Sequence, residues 1–128
     1  MPDYTPVNSS DSLPKTRTAG AAITGGQLLV PTGDGVLSPC TANTQRATAV
    51  AAHDAPNGGR VTVWPLPTII HESVNNNAGT VAAGAPITAG AAAGVDTGAL
   101  GATAAAGTLI GICTRGAATG AKLQWIGI

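Results

Sequence analysis

The stretch Leu109-Ile110-Gly111-Ile112-Cys113, together with Lys122-Leu123-Gln124-Trp125-Ile126, decides the fold because it repeats an earlier part of the chain. A shift of 62 positions places residues 47–66 on residues 109–128, so that Val50 meets Ile112 and Gly58 meets Gly120. Residues 26–30 resemble residues 84–88 at a shift of 58. The chain therefore contains two similar units, about 23–66 and 81–128.

The closing stretch of each unit has the alternation of a β-strand. Val61 and Val63 point to one face of the first of these strands and Thr62 and Trp64 to the other. Glycine and proline punctuate both units at close spacing, which is typical of turns between short strands. We predict strands at 27–30, 36–38, 46–52 and 60–64, and at their counterparts in the second unit. A short helix at 41–46 remains an alternative.

The strand count gives the fold class. Eight to ten short strands with little helix predict an all-β domain, either a small β-barrel or a β-sandwich, spanning 19–128. Charged residues make up 9% of the 128 residues and aromatic residues 2%, so few bulky side chains can fill a core. We expect contacts with neighbouring subunits to contribute to the stability of a domain with so few bulky side chains.

Residues 1–18 form a separate zone with three prolines and no helical or strand period. We predict an extended N-terminal arm that becomes ordered on a partner by adding a strand to it. Its anchoring residues would be Tyr4, Pro6, Val7, Leu13 and Pro14. The alternative is a terminus without a role.

Composition and spacing argue against several functions. The formal net charge is +0 without a basic stripe, which argues against nucleic-acid binding. No apolar run reaches the length of a membrane span, and the N-terminus lacks the pattern of a signal peptide, so we expect synthesis in the cytoplasm. We find no catalytic, cofactor or metal motif and expect no enzyme. Cys40 and Cys113 are expected to be free thiols.

The tryptophans are the remaining candidate site residues. Trp64 and Trp125 lie on the closing strands of the two units, one position apart in the repeat alignment. Each could pack in the core or at the edge of the domain. Each could also anchor a subunit interface, where tryptophan is enriched.

Three segments of the second unit resemble a known family. They are Ala83-Gly84-Ala85-Pro86-Ile87-Thr88, Gly107-Thr108-Leu109-Ile110-Gly111-Ile112-Cys113 and Gly120-Ala121-Lys122-Leu123. The composition and the sequence pattern of these segments resemble those of the capsid cement, or head decoration, proteins of tailed bacteriophages. The resemblance covers about 19–128.

The resemblance implies a small β-rich module without catalytic residues. It would sit as a homotrimer on the outer surface of an expanded capsid, bind the major capsid protein and stabilise the shell. An N-terminal extended segment would contact the lattice. The alternative is another phage structural or surface-binding module, such as a fibre or adhesin-like domain that binds glycans. Only three aromatic residues are available for stacking on sugars, which weakens that alternative.

Overall fold

The structure is a computed structural model that describes residues 3–8, 13–42 and 45–128. Within these ranges it contains ten β-strands and one short helix, which confirms the predicted all-β fold. The elements in chain order are β1 (Lys15–Ala19), β2 (Leu28–Gly33), β3 (Val36–Pro39), β4 (Ala49–Ala51), β5 (Arg60–Pro65), β6 (Ile70–Val74), β7 (Pro86–Ala89), β8 (Val95–Asp96), α1 (Leu100–Ala106), β9 (Gly111–Arg115) and β10 (Lys122–Gly127).

The strands form two sheets of the same topology. The first closes into a barrel in the order β1-β3-β2-β4-β5, and β5 pairs with β1. The second has the order β6-β10-β9-β7-β8. A parallel bridge between Asn75 and Val95 joins its two ends, as the pairing of Ala19 with Leu37 joins β1 to β3. We call β1–β5 the first barrel and β6–β10 the second barrel.

The strand registers show that the two barrels repeat residue by residue. In the first barrel Ala51 pairs with Val63, and 62 positions later Cys113 pairs with Trp125. A shift of 58 relates β2 and β3 to β7 and β8 in the same way. Matched pairs are Leu28↔Val50 with Pro86↔Ile112, Leu29↔Ala49 with Ile87↔Gly111, and Val30↔Ser38 with Thr88↔Asp96.

The repeat begins earlier in each unit than the sequence predicted. Arg17 pairs with Val61 in β1, and Ser73, 56 positions later, pairs with Leu123 in β6. The units therefore start at β1 and β6, and the boundary expected after residue 18 falls inside a barrel strand. Because residues 15–18 are all exposed, β1 lacks the apolar alternation that would have revealed it.

One hydrophobic cluster connects the barrels. The second barrel is filled by side chains that include Ile87, Leu123 and Trp125, and this cluster continues onto the outer face of β2 and β4. The backbone N–H of Leu28 donates to the carbonyl of Ala93 at 2.8 Å across the junction. A second cluster fills the first barrel alone, with Ala19, Ile23, Leu29, Leu37, Ala49, Ala51, Ala55, Val61 and Val63.

The single helix of the described residues was not predicted. Helix α1 ends at Ala106, and the following residue, Gly107, caps it with a φ of 74° in the left-handed region that glycine tolerates. The helix considered at 41–46 is not present at the described positions of that range, where the Gln45 side chain accepts from the backbone N–H of Thr41; residues 43 and 44 lie outside the description. In the described ranges, no helix is both long and apolar enough to cross a membrane.

Candidate interaction sites at the barrel mouths

Each barrel has a mouth at the end where its first strand begins. We define the first mouth by Lys15, Arg17, Leu37, Ala49 and Val63. The repeat shifts map these onto the second mouth, which consists of His71, Ser73, Val95, Gly111 and Trp125.

The second mouth is filled by an indole. Trp125 is fully buried, and its Nε1–H donates to the Ser73 hydroxyl at 3.0 Å. Its ring centroid lies 4.9 Å from that of His71. Gly111 makes the space, because a Cβ at that position would lie 2.5 Å from Trp125 Cε3 and would also meet the Ile126 carbonyl.

The N-terminal segment, residues 3–8, covers this indole-filled mouth. The Tyr4 ring stacks on His71 with centroids 6.0 Å apart and an interplanar angle of 17°. Asn8 and Ile70 exchange backbone hydrogen bonds of 3.3 and 2.9 Å, so the segment pairs with the start of β6. The N–H of Tyr4 donates to the carbonyl of Ala52 at 2.6 Å, which ties the segment to the first barrel as well.

A chain of hydrogen bonds fixes the protonation of Tyr4 and His71. The Glu72 N–H donates to the Tyr4 oxygen at 3.2 Å, and the Tyr4 hydroxyl donates to His71 Nδ1 at 2.7 Å. His71 Nε2–H then donates to the Pro65 carbonyl at 3.0 Å, which assigns the neutral imidazole with its proton on Nε2. Burial lowers the pKa of His71 to about 4, outweighing the backbone carbonyls of Pro65 and Leu66, which raise it. Burial also raises the pKa of Tyr4 above its usual 10.

The first mouth has no such filling. Val63 and Ala49 replace the tryptophan and glycine of the second mouth, and an open cavity of about 170 Å³ remains. Arg17 Nη1 donates to the carbonyl of its neighbour Thr16 at 2.8 Å, and among the described residues neither Lys15 nor Arg17 forms an ion pair. The cavity is lined by Lys15, Arg17, Leu37, Thr48, Ala49, Val63 and Pro65.

The predicted arm residues fall into two groups. Tyr4 is half-buried and Pro6 is buried against the rest of the chain, so their contacts are internal. Val7, Leu13 and Pro14 are exposed, at 51% for Val7 and 70% for Leu13. Residues 1, 2 and 9–12 of the predicted arm lie outside the described residues. Capsid binding by the exposed group remains a prediction.

The two tryptophans lie on opposite faces of their strands. Trp125 has no exposed surface and therefore offers none to another subunit. Trp64 points away from the interior of the first barrel and is half-buried. Its Nε1 is buried and has no hydrogen-bond partner among the described residues. A subunit contact at Trp64 remains a prediction.

The other reactive side chains do not form a site. Cys40 and Cys113 are free and buried, and burial raises the pKa of both thiols. No cluster of three or more potential metal ligands occurs in the part of the chain that the structure describes. Burial also shifts the pKa values of Tyr4 and His71, and these two residues bind each other.

Comparison with solved structures finds a relative in fold. The N base of the head fiber gp8.5 of bacteriophage phi29 superimposes with a TM-score of 0.66, covering 91% of this chain and 93% of that chain. The two chains share one fold. Their sequence identity is 18%, so the likeness extends to the fold and no further. No protein-family model matches the sequence, and no curated protein sequence does either. Membership of the head decoration family therefore remains a prediction.

Proposed function

We propose that this chain is a non-enzymatic structural protein of a bacteriophage head. It binds the outer surface of the expanded capsid through the major capsid protein and stabilises the shell. The observation that carries the proposal is the tandem-barrel fold, which is shared with the phi29 head fiber base over 91% of the chain. The resemblance of three segments to head decoration proteins points to the same location independently.

The composition of the surface supports docking on a shell. Charged residues are 9% of the sequence and balance to a net charge of +0, so few charges lose their hydration when a face of the domain is covered. The shifted pKa values of Tyr4 and His71 come from burial in an internal contact, which is a structural role. These features suit a binding module better than a catalytic one.

The repeat also supports assembly with other copies. The outer face of the first barrel, including Val50 and Leu66, is buried in the cluster shared with the second barrel. The counterparts on the second barrel are Ile112, which is half-buried, and Ile128, which is 55% exposed. A neighbouring copy can cover this apolar face as the second barrel covers that of the first. Head-to-tail contacts form a ring when the rotation between neighbouring copies closes, and we propose that it closes here into a homotrimer.

Light scattering tests this assembly. We expect three times the chain mass for the unmodified protein, and monomers for Ile112→Lys, which places a charge on the face to be covered. Lys122→Ala, on a strand of the same barrel, serves as a control and should leave the mass unchanged. A monomeric unmodified protein would exclude the trimer.

The function itself is tested with expanded capsids that lack this chain, from the phage that encodes it. The purified chain should co-sediment with these capsids and raise their melting temperature. Unexpanded capsids provide the control, because a decoration protein is expected to bind the expanded lattice. Failure to co-sediment with either form would reject the proposal.

The fold match supports a second candidate, the base of a head fibre. A base attaches to the capsid in order to carry a fibre, so binding without a rise in melting temperature would favour this candidate over the decoration role. A fibre-like module that recognises sugars would in addition give reproducible hits on a glycan array.

A further inference from the structure

The two mouths share a backbone and differ in what fills them. Val63, Ala49 and Leu37 of the first mouth are 3%, 5% and 6% exposed, whereas Trp125 and Val95 of the second are fully buried. These side chains are all buried, but those of the first barrel form the floor of a pocket at its end, where the second barrel holds an indole. The opening of about 170 Å³ is close to the size, about 150 Å³, at which an engineered apolar cavity binds benzene. It has room for one aromatic ring.

The charges at the two mouths differ as well. Lys15 stands at the position of His71, and Arg17 stands at the position of Ser73. Two exposed cations thus border the open cavity, while the filled mouth has two neutral groups. A ligand whose ring enters the cavity would place its adjacent atoms beside these cations. A carboxylate next to the ring complements them, since guanidinium and ammonium groups are preferred donors to carboxylates.

The edge of β1 offers backbone pairing. Pairing of β1 with β3 begins only at Thr18, so the edge at residues 14–17 has no strand beside it in the described chain. On β6 the corresponding edge pairs with the N-terminal segment at Ile70, whose counterpart is Pro14. Ile70 forms two backbone hydrogen bonds with Asn8. Pro14 lacks an N–H, but its carbonyl can accept a hydrogen bond as the Ile70 carbonyl does. An extended peptide can therefore lie along β1 as residues 3–8 lie along β6.

The N-terminal segment shows that an aromatic side chain on an extended peptide fits over a mouth of this fold. It carries a carboxylate, Asp3, next to an aromatic side chain, Tyr4, and the Tyr4 ring stacks on His71. Each copy has one such segment and uses it on its own second mouth. Donating it to a neighbour would expose His71, so the first mouth is left for a segment of a different protein.

We propose that the first mouth binds an extended peptide segment of another protein, in which an aromatic side chain stands next to a carboxylate. The ring enters the cavity over Val63 and Ala49, the carboxylate binds Lys15 and Arg17, and the peptide backbone runs along the edge of β1. The inference concerns this site alone and stands whether or not the chain binds capsids.

The probe is the blocked hexapeptide Asp-Tyr-Thr-Pro-Val-Asn, titrated into the full ¹⁵N-labelled chain and followed by NMR. We expect saturable shifts of the amides of Lys15, Arg17, Ala49 and Val63, with a dissociation constant of about 1 mM. Peptides with Tyr→Ala or Asp→Asn should bind at least about tenfold weaker, because each loses one of the two recognised groups.

Two protein variants localise the site. The double variant Ala49→Gly with Val63→Trp copies the filled mouth into the first barrel and should abolish the shifts. Arg17→Glu reverses an exposed charge without touching the interior, and should weaken binding at least about tenfold even where the double variant does not fold.

Three results would overturn the proposal. The first is the absence of shifts at these amides up to about 10 mM peptide, well above the expected dissociation constant. The second is shifts centred on Ile70 and His71, which would mean that the peptide competes for the second mouth. The third is an intermolecular contact between Tyr4 of one copy and Val63 of another in a mixed-label sample without peptide, which would assign the first mouth to a second copy.

Discussion

Exchanging the interior of the second mouth for that of the first tests the residue-by-residue repeat. Gly111 and Trp125 occupy the positions of Ala49 and Val63. The variants are Trp125→Val, Gly111→Ala and the two changes together. If the barrels are equivalent, the double change gives the second barrel a pair that the first barrel already accommodates.

The magnitudes follow from the contacts. Trp125 is fully buried, so Trp125→Val should cost about 3 kcal/mol for lost burial and the cavity. The lost hydrogen bond to Ser73 adds about 1 kcal/mol. Gly111→Ala alone forces a methyl to within 2.5 Å of the Trp125 ring, which should cost about 2 kcal/mol. In the double variant the clash with the ring is gone while the contact with the Ile126 carbonyl remains, so we expect a loss of about 5 rather than about 6 kcal/mol.

The assay is urea denaturation of the four proteins, with the free energy of unfolding compared at constant m-value. Gly101→Ala combined with Trp125→Val is the matched control, since a Cβ at Gly101 meets nothing within 4 Å and its effect should be additive. A coupling energy between Gly111→Ala and Trp125→Val below about 0.5 kcal/mol would refute the reasoning.

Two further predictions concern the N-terminal segment and the residue that it covers. Since burial lowers the pKa of His71 from 6.5 to about 4, the unfolded chain takes up the proton first as the pH falls. The free energy of unfolding should therefore drop by up to about 3 kcal/mol between pH 7 and pH 4 and level off below pH 4. Denaturation of the His71→Gln variant over the same pH range should show a smaller drop. An equal drop in the variant would contradict the assignment of the effect to His71. Removal of residues 1–8 should leave both barrels folded and uncover His71, whereas removal of residues 1–18 deletes β1 and opens the first barrel. Circular dichroism and urea denaturation distinguish these forms, and equal stability of the two truncations would count against the assignment of β1 to the barrel.

The sequence predicted the β-hairpins and their repeat because these carry local signals. Val61 and Val63 alternate with polar neighbours, and Gly58 and Gly120 occupy the same turn of the two units with the same φ of 82°. The shifts of 58 and 62 found in the sequence reappear in the strand registers. Short-range pattern was therefore enough for four of the five strands of each unit.

Strand β1 could not be found in this way, whereas Ile69 and Ile70 suggested a strand where β6 begins. The residues of β1 and β6 share no side-chain type at matched positions, and β1 is exposed along most of its length, so neither repeat nor periodicity marks it. Backbone pairing with β3 and β5 holds β1 in place instead.

The filling of the second mouth could not be predicted from the sequence either, because the contact between Tyr4 and His71 joins residues 67 positions apart. Neither residue belongs to a sequence motif that would predict this contact. The open first mouth arises because Ala49 and Val63 stand where the second barrel has Gly111 and Trp125, a difference that matters only once the strands are paired.

Electron cryomicroscopy of expanded capsids, reconstructed with and without the added chain, tests the central claim most directly. We predict extra density on the outer surface, in contact with the major capsid protein, into which the two barrels of each copy fit side by side. Identical reconstructions of the two samples, or extra density only inside the shell, would contradict the account.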